Sequence, residues 1–102
     1  MNKYTELSDF EINKAVFIKL YGEESLKDKD MFNSFYRTDY CHNPEDAMPI
    51  IIENEISMIK SSGGWMCCHG SVGNVEHESL YRGAMEVFLM IKDAENENNN
   101  NS

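Results

Sequence analysis

Between Ile56 and Glu78, three short segments of alternating character are separated by two glycine-containing turns. No other stretch limits the possible folds so tightly. Ile56–Lys60, Trp65–His69 and Val75–Glu78 have the length and period of strands. Ser61-Ser62-Gly63-Gly64 and Gly70-Ser71-Val72-Gly73-Asn74 carry turn chemistry between them. Parallel strands need crossovers of a dozen or more residues, and these connections are far shorter. The segment therefore predicts a three-stranded antiparallel meander whose first hairpin closes through a four-residue loop.

Helical patterns flank the meander. Ser8 and Glu11 have capping-box spacing, Leu7 and Ile12 stand at staple positions, and Ile12, Ala15, Val16 and Leu20 follow at helical spacing up to Gly22. A helix is expected over about residues 9–21. A second begins at Asn43-Pro44-Glu45-Asp46. Asn43 can accept from first-turn amides, Pro44 fits the first helical position, and Glu45 and Asp46 sit at the positive end of the dipole. Pro49 lies within that helix and predicts a bend or a restart. A third starts at Ser79 and presents Leu80, Tyr81, Ala84, Val87, Phe88 and Ile91 along one broad face.

Residues 23–42 mix charges with aromatics, and a short helix or ordered loop anchored by Phe32, Phe35, Tyr36 and Tyr40 is expected there. The fold class is α+β: a three-stranded antiparallel meander with helices on one face, in the order α-α-β-β-β-α. Residues 1–94 form one domain. Residues 95–102, an Asn-rich tail without an apolar anchor, are expected to be disordered.

Eighteen acidic against nine basic side chains give a net charge of −9. That balance opposes direct binding to duplex phosphate. It suits solubility, a basic protein surface, or mimicry of nucleic-acid charge. No apolar run approaches the ~20 residues that cross a bilayer, and the first residues lack signal-peptide character, so a cytoplasmic location is expected, without membrane contact. Cys41, Cys67 and Cys68 are an odd set, and the adjacent pair would point to opposite strand faces, so reduced thiols are expected.

The chemistry-bearing residues are few. Cys41, His42, Cys67, Cys68, His69 and His77 could ligate zinc, but their spacing matches no ligand knuckle, and neither a metal nor a cofactor is expected. No nucleophile elbow or phosphate-loop pattern occurs, so no catalytic residue is assigned. Trp65, the single tryptophan, could stack on a nucleobase or close the end of the sheet. Arg82 lies in the first turn of the last helix, where a cation opposes the dipole unless an anion is near. That anion could be a ligand phosphate, or Glu78 or Glu86. A ligand site is therefore expected around Ser79, Arg82 and the Gly70–Gly73 turn, with Trp65, Lys60 and His69 contributing. Asn43, Pro44 and Asp46 are expected to serve as a structural motif.

With those residues in view, the chain resembles the NinX-like proteins, a family of small proteins of tailed enterobacterial phages. YTELSDFEINKAV (4–16), DYCHNPEDAMPIIIENEISM (39–58) and SLYRGAMEVFLMIKD (79–93) carry the resemblance across about half the chain, the central run being the most specific. The resemblance implies a phage origin, action in the host cytoplasm and no catalytic residues. On that footing the expected function is a non-catalytic counter-defence protein that sequesters a small nucleotide-type signal, as a homo-oligomer. The alternative is an acidic inhibitor that blocks a basic surface of a host defence or DNA-binding protein.

Overall fold

The computed structural model describes residues 2–100, with side-chain surroundings for residues 2–97. Helix α1 (Asp9–Tyr21) starts at a closed capping box. The Glu11 amide donates to Ser8 Oγ at 3.1 Å, and the Ser8 amide donates to Glu11 Oε1 at 3.0 Å. Gly22, at φ 98°, ends the helix. The segment after it holds a 3-10 turn (Ser25–Lys27) and a helix, α2 (Lys29–Tyr36), capped by the Asp28 carboxylate on the Met31 amide. Of the four expected anchors there, Phe35 and Tyr40 are buried, while Phe32 and Tyr36 are exposed.

Helix α3 (Pro44–Glu53) is capped by Asn43, whose Oδ1 accepts from the Glu45 amide at 3.0 Å. It runs as one helix through Pro49. Its exit is a Schellman motif: the Glu55 amide bonds the Ile52 carbonyl and the Ile56 amide bonds the Ile51 carbonyl. Glu55 occupies the left-handed position, at φ 55°, where glycine is usual.

Strands β1 (Ser57–Ser61), β2 (Gly64–His69) and β3 (Gly73–His77) form the expected antiparallel meander in the order β1-β2-β3. Ser61 pairs with Gly64, so the first hairpin turns through two residues, Ser62 and Gly63, rather than four. Gly63 supplies the positive φ, 85°, that such tight turns favour. At Gly64 a Cβ would stand 2.7 Å from the His77 carbonyl oxygen, so only glycine lets the two strands approach there.

Helix α4 (Leu80–Asn100) continues six residues past the expected domain boundary at 94, and residues 101–102 of the expected tail lie outside the described residues. It lies on β2 and β3, with α1 and α3 packed against it from the other side. Every residue from Arg82 to Leu89 is buried as a result. A single apolar face would not need that; a helix sandwiched between two layers does. Gly83 permits the close seat on the sheet, since a Cβ there would lie 3.1 Å from Cys67 Sγ.

Candidate functional site

The pairing register fixes where the expected ligand residues fall. Lys60, Trp65 and His77 lie side by side across the sheet, on the face turned to α4. Lys60 Nζ stands 5.3 Å from the centre of the Trp65 ring, a cation–π distance. The Ser79 amide donates to His77 Nδ1 at 2.8 Å, which ties the start of α4 to the same end. The hollow beside them, of about 250 Å³, is bordered by Glu76 and Glu78.

His69 and the Gly70–Gly73 turn do not join this group. His69 pairs with Gly73, while Trp65 pairs with His77 at the other end of β3. Four strand steps separate the ends by roughly 14 Å. His69 is engaged locally, 2.8 Å from Ser71 Oγ. The expectation that Ser79, Arg82 and the Gly70–Gly73 turn form one site is therefore corrected by the register of β2 and β3.

Arg82 is also placed differently from expectation. Its side chain is 5% exposed, and each guanidinium nitrogen is engaged within the protein. Nε donates to Glu86 at 2.7 Å, Nη1 to Asp9 at 2.6 Å, and Nη2 to the carbonyls of Tyr4 and Leu7. Burial disfavours the guanidinium charge, but the hydrogen bonds to Asp9 and Glu86 outweigh it and hold the pKa above its ordinary value. The anion that the helix dipole calls for is supplied by the protein itself. Glu86, one of the two intramolecular partners foreseen, is 1% exposed. Asp9, from another helix, was not signalled by any local pattern.

The Asn43-Pro44-Asp46 motif builds a folded corner. Asp46 Oδ2 accepts from the Asp39 amide at 3.0 Å. Asp39 Oδ1 accepts from the Cys41 amide and from Asn13. Burial raises the Asp39 pKa, but hydrogen bonds from His42 and Asn13 prevail and hold it below the ordinary carboxylate value. His42 bridges Asp39 and Asp9, its Nδ1 2.9 Å from Asp39 and its Nε2 3.0 Å from Asp9. Both ring nitrogens therefore face carboxylates of the protein itself. Next to it, Cys41 is fully buried and burial pushes its thiol up to about 12, while burial of Cys67 pushes that thiol up to about 11. Neither thiol is a thiolate at neutral pH. Among the described residues no group of three or more His, Cys, Asp or Glu is arranged to hold a metal ion. None of the described helices is long and apolar enough to cross a membrane.

A cleft of about 420 Å³ opens between α1, α2 and α3, within the size range of small-ligand sites. Phe17, Tyr21 and Tyr40 give it aromatic walls, and Glu45, Asp46 and Glu53 line it from α3. By local rules Glu45 and Asp46 are dipole partners and Tyr40 is a core anchor. The missing signal was the spacing of Glu45, Pro49 and Glu53 at i, i+4 and i+8, which places carboxylates at both ends of one α3 face.

No family model matches this chain, and neither does any curated protein or solved structure.

Proposed function

We propose that this protein is a non-catalytic binding protein that presents an acidic surface to a basic surface of a partner protein. One observation carries the reading: the basic side chains are mostly engaged within the protein, while the cleft carboxylates take part in no ion pair among the described residues. Of nine basic residues, Lys3, Lys19, Lys27, Arg82 and Lys92 stand in ion pairs and Lys60 lies over Trp65. That leaves Lys14, Lys29 and Arg37 among the described residues. A phosphate ligand needs outward cations, and the one at the expected site, Arg82, has none of its nitrogens free. A cationic partner, by contrast, meets a net charge of −9 and three unpaired carboxylates in one cleft. The buried thiols of Cys41 and Cys67, raised away from the thiolate form, support a role without bond-breaking. In the phage setting that the sequence resemblance implies, the partner is a host defence or DNA-binding protein.

The test is capture from a bacterial host lysate on the immobilised protein, followed by native mass spectrometry of the complex. A stoichiometric basic protein, released as salt rises, is the expected result, because opposed surface charges are screened beyond about 10 Å at 0.1 M salt. Retention of a nucleotide with no protein partner would replace this reading with sequestration of a small signal.

A further inference from the structure

The α1–α2–α3 cleft combines three kinds of group that together select a ligand class. Glu45, Asp46 and Glu53 take part in no ion pair among the described residues. Tyr21, an exposed ring on the cleft wall packed on the buried Phe17, is an aromatic surface of the kind that attracts cations electrostatically. Tyr40 is the third element. Its residue is only 5% exposed, and its hydroxyl makes no hydrogen bond among the described residues. No fully buried side-chain polar atom among the described residues lacks a partner, so the hydroxyl keeps some access to solvent, and Tyr40 lines the cleft. The neighbours that bear on it electrostatically, Tyr21 and Asp46, line the same cleft. A hydroxyl with no protein partner on a nearly buried residue, beside three carboxylates that take part in no ion pair, suits N–H donors that carry positive charge.

The spacing along α3 sets the shape of the donor. Glu45 and Glu53 are eight residues apart on a helix, which is about 12 Å at 1.5 Å per residue. Pro49 and Ile50 line the interval between them. We propose that the cleft binds an extended organic dication: two ammonium or guanidinium groups, one at each end of α3, joined by an aliphatic span that lies on Pro49 and Ile50. 1,8-Diaminooctane has its two ammonium groups at a comparable separation when extended, and two basic side chains of a partner protein reach the same positions. The inference names the ligand chemistry of the partner reading above and rests on it for the protein source.

Calorimetry and amide NMR of the full chain test it with two probes, 1,8-diaminooctane and a peptide carrying two lysines at matching reach. Both should bind with shifts at Tyr40 and along α3, and the shorter diamine putrescine should bind more weakly. Glu45→Gln and Glu53→Gln should each weaken binding about tenfold, the loss of one charge-assisted hydrogen bond. Tyr40→Phe should weaken it several-fold, and Glu76→Gln, the same charge change on the sheet, should leave it unchanged. Tighter binding of the peptide assigns the cleft to a protein partner, and tighter binding of 1,8-diaminooctane assigns it to a free diamine. Equal losses in Glu76→Gln and Glu45→Gln would reduce the effect to diffuse charge and overturn the proposal. So would capture of a basic partner that survives the Glu45→Gln/Glu53→Gln double variant, which leaves the partner reading standing. 1,8-Diaminooctane bound in the cleft with no partner captured would do the reverse.

Discussion

Replacing Arg82 by Met isolates the energetic role of the one buried cation among the described residues. The substitution keeps an apolar stem of similar length and removes three sets of donors. Asp9, 41% exposed at its side chain, regains water at little cost. Glu86 does not. At 1% exposure it keeps only Asn2 Nδ2, at 3.2 Å, as a partner. Removing one member of a buried ion pair typically costs about 3–5 kcal/mol, chiefly through the charge left behind. The Tyr4 and Leu7 carbonyls lose charge-assisted bonds as well, so the upper part of that range applies. Domains of this size hold ~5–15 kcal/mol in total, so Arg82→Met should remove a third or more and lower Tm by on the order of 20 °C. Urea unfolding followed by the fluorescence of Trp65, the single tryptophan, gives the free energy directly. The second arm is Arg82→Met with Glu86→Met. Deleting both charges removes the uncompensated one, so the double variant should be more stable than Arg82→Met by at least about 2 kcal/mol. A loss below 1 kcal/mol in the single variant, or no recovery in the double, would show that Glu86 finds compensation elsewhere and would refute the argument.

Glu55→Gly should raise stability by about 1 kcal/mol, because it relieves a left-handed non-glycine residue at the exit of α3; a lower urea midpoint would contradict this. Acid should destabilise the fold through Asp39 and Asp93, both held below the ordinary carboxylate pKa of 3.8. A depressed folded pKa contributes stability above the unfolded value, which is lost as pH falls through the folded one, so the loss begins near pH 4 and deepens below it. In Asp39→Asn the acid limb of a urea-midpoint profile should flatten; an unchanged limb would remove Asp39 from the account. Thiol labelling at pH 8 should find one reactive cysteine, Cys68, with Cys41 and Cys67 modified only on unfolding. Equal labelling of all three in the native state would disprove the buried placement.

Local rules carried the sequence reading a long way. The Ser8–Glu11 box, the Asn43 cap and the alternation of the meander are chemistry between residues a few positions apart, and each is realised. The errors arose where distance along the chain and distance in space part company. Arg82 was read against its own helix dipole, and that physics held, but its second carboxylate comes from residue 9, 73 positions away. His69 and Ser79 looked close because a turn and a short strand separate them, yet a strand carries the chain straight from one end of the sheet to the other. The broad face of α4 was recognised, while its second covered side was not, because Met85, Glu86 and Leu89 become interior only when α1 and α3 close over them. Glu86 illustrates the limit: no pattern distinguishes an exposed i,i+4 partner from one that is 1% exposed.

The cleft and the buried charge network meet at one residue. Asp46 holds the 39–42 corner through the Asp39 amide, and Asp39 in turn touches His42, which reaches Asp9 and through it Arg82. The same Asp46 lines the cleft. Rigidity at the first turn of α3 is therefore bought from the network that straps the N-terminal segment to α4. That matters for recognition, because immobilising a flexible carboxylate on binding costs affinity, whereas one already fixed by its own hydrogen bonds costs little. Glu45 and Glu53 have no such fixing and supply charge alone, so Asp46 is the carboxylate best placed to discriminate between cations by position.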